Sequence, residues 1–169
     1  MAFPPEFITR TKAILGAEYE QLEEALSADA PVSIRMNRKK SDYTPAGEPV
    51  PWSHTGYYLP ERLSFTFDPL FHAGHYYVQE ASSMFLEQAV RQLINEPVTC
   101  LDLCASPGGK STLLLSTLPE GSLLVSNEII RTRSHILAEN LSKWGYPASI
   151  VTNDRSEEHT SELQSHHDL

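Results

Sequence analysis

One stretch of the chain carries residues suited to holding a nucleotide: Leu101-Asp102-Leu103-Cys104-Ala105-Ser106-Pro107-Gly108-Gly109-Lys110-Ser111. Gly108 and Gly109 lack the Cβ atoms that keep a ligand from the backbone, and a helix start behind them favours an anionic group. Glu128 follows Gly108 by 20 residues. Ribose offers two adjacent hydroxyl donors, and one carboxylate can accept from both. In doubly wound nucleotide folds such an acid lies about 20 residues beyond the glycine loop. Two better-known loops are excluded. Gly109-Lys110-Ser111 matches the end of G-x-x-x-x-G-K-[ST], but the first glycine of that pattern falls on Cys104, and Pro107 stiffens a loop that must wrap a phosphate. The fingerprint G-x-G-x-x-G is absent, which speaks against a nicotinamide cofactor, although the spacing of Glu128 would serve one equally. An ordinary Gly-rich turn in an α/β protein remains the bland alternative.

The elements that must position these residues are legible around them. Val98-Thr99-Cys100-Leu101 reads as a buried first strand, and Ser111 to Leu118 as the helix leaving the loop. Pro119-Glu120-Gly121 is the turn into a second buried strand, Ser122 to Asn127, with Glu128 at its carboxyl end. Ile130 to Trp144 predicts a helix with Leu137, Leu141 and Trp144 on one face and Gly145 as its stop. Arg131 and Arg133 are expected to face solvent or pair with nearby acids. Ala148 to Thr152 begins a third strand. Alternating strand and helix place the ligand at the strands' carboxyl ends, as in a doubly wound, Rossmann-like sheet.

Upstream, residues 4–28 read as two short helices, with Leu15, Tyr19, Leu22 and Leu26 as an apolar stripe on one helix face. Pro31 to Asn37 alternates like a strand, and Arg38-Lys39-Lys40 follows as the only dense basic cluster. Residues 41–60 hold too many prolines and glycines for a long element. Trp52, Tyr57 and Tyr58 there either stack on bases or pin the loop to the core. Asp68, His72 and His75 have no cysteine or further histidine near them in the sequence, so no zinc site is expected there. Ser82 to Asn95 predicts a helix that Pro97 stops.

The whole chain has 169 residues, a net charge of −9 and two cysteines. No 18-residue apolar run predicts a membrane span, and no signal-peptide core is visible. Cys100 and Cys104 are poorly placed for a disulfide, so a reducing cytoplasm is the expected compartment. An acidic balance is unusual for a protein that grips RNA, so basic character must be local or lie elsewhere. From Arg155 onward the composition changes, with one arginine, four acids and no periodicity. Residues 155–169 resemble the translated reading of a sequencing adapter and are expected to be a disordered tail outside the fold.

Asp-Leu-Cys-Ala-Ser-Pro-Gly-Gly-Lys resembles the cofactor motif of the RNA (cytosine-5)-methyltransferases, which act on rRNA and tRNA with S-adenosylmethionine. The family usually reads D-x-C-A-A-P-G-G-K, so Ser106 is a departure between small residues. The likeness runs from about Pro4 to Asp154. It implies a small α+β RNA-associated domain over 1–75 and a methyltransferase domain over 76–154, truncated at its C-terminal side. By resemblance, Cys104, Ala105, Ser106, Pro107, Gly108, Gly109, Lys110, Glu128 and Asp154 bind the cofactor, and Gln79 faces the pocket. An Ile-Arg-x-Asn segment implies RNA contacts for Arg35, Asn37, Arg38, Lys39 and Lys40. The family adds a cysteine thiolate to C6 of cytosine so that C5 can take the methyl group, using Thr-Cys and Pro-Cys motifs beyond the third strand. Neither is present; Thr99-Cys100 precedes the cofactor loop. The expectation is an inactive piece of a cytoplasmic, monomeric rRNA methyltransferase without metal or membrane. The alternatives are action on tRNA or another substrate class, a nicotinamide-binding oxidoreductase fragment, or a non-enzymatic RNA-binding fragment.

Overall fold

The computed structural model describes residues 3–147 and 149–153. They form two compact units, the second beginning at Val32. The stretch 155–169 and Asp154 lie outside the described residues.

The first unit is a helical pair, α1 (Pro5–Leu15) and α2 (Tyr19–Ser27), joined by a 3-10 turn over Gly16–Glu18. Pro5 opens α1, where its missing N–H costs no hydrogen bond. Gly16, at φ +55°, ends it in the left-handed region. The expected apolar stripe is therefore split between two helices rather than carried on one. Of its members Tyr19 is buried, with Lys12 Nζ 4.8 Å from its ring centre, while Leu26 stays half exposed.

The second unit carries two sheets. In the antiparallel one, β1 (Val32–Met36) lies between β2 (Gly56–Leu59) and β3 (Tyr76–Val78), with Ile34 opposite both Tyr57 and Val78. The boundary expected at 75/76 thus falls at the edge of a strand that pairs with β1. Ser33 through Met36 are all buried, so β1 has both faces covered. Ile34 and Met36 pack with Tyr76, Phe65 and Phe71. A short helix, α3 (Pro69–His72), is capped by Asp68, which accepts from Leu70 N (2.9 Å) and from the Tyr76 hydroxyl (2.6 Å). His72 Nε2 meets the Thr66 carbonyl. Among the described residues no group of acids, cysteines and histidines converges as a metal site.

The stretch expected as one helix from Ser82 is a 3-10 turn, Ala81–Phe85, running into α4 (Leu86–Leu93). Glu87, in the first turn of α4, is buried yet holds the Pro-rich loop. Its carboxylate accepts from Ser53 Oγ (2.7 Å), His54 N and Arg91 Nε (2.9 Å), and lies 2.7 Å from His54 Nδ1. Trp52 donates to the Ala81 carbonyl and Gln88 to that of Trp52, so the tryptophan pins the loop. Burial alone would raise the Glu87 pKa, but these hydrogen bonds outweigh it and hold the group below the ordinary carboxylate value. A depressed folded pKa stabilises the fold above the ordinary value of about 4.5 and loses that contribution as pH falls through the folded one. Thermal melts between pH 6 and pH 3 should therefore show a steeper loss in the native chain than in Glu87→Gln. Parallel curves would sink the assignment.

The parallel sheet follows the order β4 (Thr99–Asp102), β5 (Leu123–Asn127), β6 (Ser149–Thr152), connected through α5 (Gly109–Thr117) and α6 (Arg131–Trp144). These are two successive βαβ units, the expected start of a Rossmann-like sheet. Val90, Leu114, Leu115, Leu124, Leu137, Leu141 and Trp144 form its core. One expectation needs correction: β4 is not buried. Cys100 packs toward the core and Asp102 bonds α5, but alternation turns Leu101 to the other face. There Leu101 lines up with Val125 and Ile150, and both Leu101 and Ile150 are about half exposed. No helix among the described residues is long and apolar enough to cross a membrane.

Candidate cofactor site

The site is built where β4 and β5 end. Asp102, the last residue of β4, accepts a 2.7 Å hydrogen bond from Ser111 Oγ on α5, and Ser126 Oγ of β5 donates to Ser111. The loop then crosses to β5, where Ala105 N donates to the Asn127 carbonyl at 2.9 Å. Ser106 and Arg133 exchange bonds: Ser106 Oγ donates to the Arg133 carbonyl, and Arg133 Nη2 donates to that of Ser106, both at 3.0 Å. The hydroxyl at the position where the family usually has alanine is thus spent on the first turn of α6. The Ser106–Pro107 peptide is cis, and Asn140 Nδ2 holds the Pro107 carbonyl at 2.8 Å.

Gly108 is the pivot. Its φ of +112° is open to glycine and strained for other residues, although an added Cβ would meet Leu137 only at ordinary contact distance, 3.4 Å. Gly109 starts α5, and Lys110 and Cys104 are both exposed. Cys100 is half-buried, and desolvation together with Asp102 pushes its thiol pKa up.

Glu128 is buried at the end of β5. Its Oε1 accepts from Ile130 N at 2.9 Å, its Oε2 lies 3.7 Å from Arg133 Nη2, and its carbonyl accepts from Asn153 Nδ2. Loop and acid are therefore joined by one guanidinium, which touches both Ser106 and Glu128. The sequence reading left Arg133 among surface or paired cations. A cation in the first turn of a helix, where the macrodipole disfavours it, was the available signal. The residues fit a nucleoside with an anionic tail: a carboxylate for ribose hydroxyls, and a Cβ-free backbone at a helix start for the tail. Asp154 is outside the described residues, so the third strand contributes no described acid to this edge.

The basic set is corrected in part. Arg35 and Asn37 are fully buried and cannot face RNA. Arg35 Nε donates to Gln79 Oε1 (2.8 Å) and its other nitrogens to Thr112 and Gly109, while Asn37 Nδ2 donates to the carbonyls of Gly74 and Trp144. Gln79 is buried next to Gly109, behind the loop. Arg38 donates to the Tyr43 carbonyl and the Tyr57 hydroxyl. Lys39 Nζ donates to the Gly145 carbonyl, and Lys40 Nζ to those of Ala73 and Lys143. The two lysines sit at the C-terminus of α6, the negative end of its dipole.

A glycine loop after the first parallel strand, answered by an acid after the second, defines a Rossmann-like nucleotide-binding core, and its class is that of the methyltransferases. Comparison with known proteins agrees. Residues 3–81 match the N-terminal domain of 16S rRNA methyltransferase RsmF, and residues 92–168 match the 16S rRNA methyltransferase RsmB/F family. Ribosomal RNA small subunit methyltransferase F of Pectobacterium atrosepticum is 30% identical over 89% of the chain and 34% of its own length. That of Vibrio atlanticus is 29% identical over 89% and 35%. A methyltransferase homolog protein from Pyrococcus horikoshii superposes with a TM-score of 0.72 at 26% identity, over 96% of this chain and 56% of its own. NSun6 from Pyrococcus horikoshii, solved with SFG, shares the fold at a TM-score of 0.65 and 14% identity, over 95% and 67%. The chain belongs to the RNA (cytosine-5)-methyltransferases of the RsmB/F type. It spans about a third of the length of these curated relatives.

Proposed function

We propose that the chain holds S-adenosylmethionine at the carboxyl edge of β4 and β5, as part of an enzyme that methylates C5 of cytosine in ribosomal RNA. The observation that carries this reading is Glu128, a buried carboxylate fixed at the end of β5 and bridged by Arg133 to the glycine loop. When bound, S-adenosylmethionine supplies a methyl group on a sulfonium centre. The chain's own part is to hold it. Glu128 takes the ribose hydroxyls, the backbone from Cys104 to Gly109 lies along the donor, and the start of α5 faces its carboxylate. Lys110 and Asp154 complete the proposed set. Ribosomal RNA is the proposed substrate, with transfer RNA second, and the protein acts in the cytoplasm as a monomer without metal or membrane. Lys39, exposed and with one side-chain hydrogen bond, is the least committed of the basic set and its remaining candidate for a phosphate contact.

Calorimetry on the 169-residue chain tests the reading. S-adenosylmethionine and S-adenosylhomocysteine should bind, and Glu128→Ala should weaken both by about 1–3 kcal/mol, the scale of hydrogen bonds to a charged group. Tight NAD binding without heat from either sulfur cofactor would overturn it in favour of a nicotinamide site.

A further inference from the structure

We propose that Arg35 and Thr112 form a positioning relay that lets the antiparallel sheet set the shape of the cofactor loop. The inference rests on the cofactor reading above and names residues that do not touch the ligand. Arg35 leaves β1, is 1% exposed, and makes no ion pair among the described residues. Burial pushes its pKa down to about 10, opposed mainly by the distant Glu87, so the guanidinium stays charged at neutral pH. Its Cζ lies 4.6 Å from the centre of the Trp144 ring. Every acceptor it meets is neutral: Gln79 Oε1, the carbonyls of Gly109 and Thr112, and Thr112 Oγ1 at 2.6 Å.

Three of those acceptors belong to the first turn of α5, directly behind Gly108. A guanidinium donates and never accepts, so it occupies the acceptor side of the Thr112 hydroxyl and leaves that proton for another group. The proton is 2.7 Å donor-to-acceptor from the Gly108 carbonyl, against 3.1 Å for that of Gly109. Helical threonines often donate four residues back. The distinctive feature here is a desolvated cation, brought in from another sheet, that orients this one. The relay Arg35–Thr112–Gly108 ends on the residue whose left-handed φ turns the loop. A buried cation without a carboxylate is costly to keep at the positive end of a helix, and an ordinary core would place an apolar side chain there. Lysine cannot replace it, because an ammonium lacks the planar fork that meets several acceptors of one turn together.

The relay acts on the loop and not on the ribose side, so two ligands separate it from a general loss of stability. S-adenosylhomocysteine carries the amino-acid tail that meets the loop, whereas 5′-methylthioadenosine keeps adenine and ribose alone. Thr112→Val, close in shape, should weaken S-adenosylhomocysteine about tenfold, the effect of one buried hydrogen bond, and leave methylthioadenosine within about twofold. Thr112→Ser keeps the hydroxyl and should restore affinity. Arg35→Lys should weaken S-adenosylhomocysteine similarly, and the double variant should be no worse than either single one, since both break one relay. Equal loss for both ligands, no loss in Thr112→Val, or additive losses in the double variant would overturn the proposal. Where methylthioadenosine binds too weakly to register, the double-variant cycle decides alone. A native chain that binds no sulfur cofactor defeats the cofactor reading itself, and this inference with it.

Discussion

The 169-residue chain is expected to place no methyl group on RNA, even with the donor bound. C5 of cytosine is a poor nucleophile, and the proposed reaction needs a cysteine thiolate to add to C6 first. The chain has two thiols, at Cys100 and Cys104. Cys100 lies on β4 with its side chain toward the core, and a raised pKa leaves little thiolate at neutral pH. Cys104 is exposed, so burial does not silence it. Its position does. It sits in the loop proposed to hold the donor, four residues before the Gly108 pivot. The open face of the parallel sheet, with Leu101 and Ile150 half exposed, adds that nothing described braces the site from that side. The measurement is incubation with radiolabelled S-adenosylmethionine and undermethylated ribosomal RNA, beside a relative of full length as positive control. Label in cytosine C5 from this chain would refute the argument, and Cys104→Ser and Cys100→Ala variants would then identify the thiol responsible.

The parallel sheet was readable because its signals are local. The apolar runs before Asp102 and Asn127, the Pro-Glu-Gly turn and Gly145 each mark an element boundary within a few residues of the observed one. Glu128 was readable through spacing, since one βα unit fixes how far the second strand's end lies from the glycine loop. The role of β1 was hidden. Arg35 and Asn37 in an alternating strand followed by three cations look like an exposed basic edge. What buries them comes much later in the chain: Arg35 meets Thr112 across 77 residues and Asn37 meets Trp144 across 107. No periodicity within the strand records such partners. The same distance hid the placement of Lys39 and Lys40 at the end of α6. The exposure of Leu101 escaped for the opposite reason, because an apolar run says that a strand wants cover, not that cover is there.

Trp144→Ala is expected to cost about 3–5 kcal/mol, the range for emptying a buried aromatic site. Trp144 is 1% exposed and closes the core formed by Leu114, Leu115, Leu137 and Leu141. Its ring stands edge-on to Tyr77 at 6.4 Å and covers the Arg35 guanidinium. Its Nε1 donates to Ser116 Oγ at 2.9 Å, tying α6 to α5. Truncation removes the apolar area, leaves a cavity, and uncovers a charged group that has no carboxylate to turn to. For a chain of this size the melting temperature should fall on the order of 10 °C. Trp144→Phe keeps most of the ring and loses mainly the Ser116 bond, so about 1–2 kcal/mol is expected. Phe85→Ala, on an exposed aromatic, should change stability by no more than about 1 kcal/mol. Because Trp144 roofs Arg35, the alanine variant should also bind S-adenosylhomocysteine more weakly than its residual folded fraction explains. A loss of less than about 1 kcal/mol in Trp144→Ala would mean that α6 is not packed on the sheet as described, and the site built between its first turn and the glycine loop would fall with it.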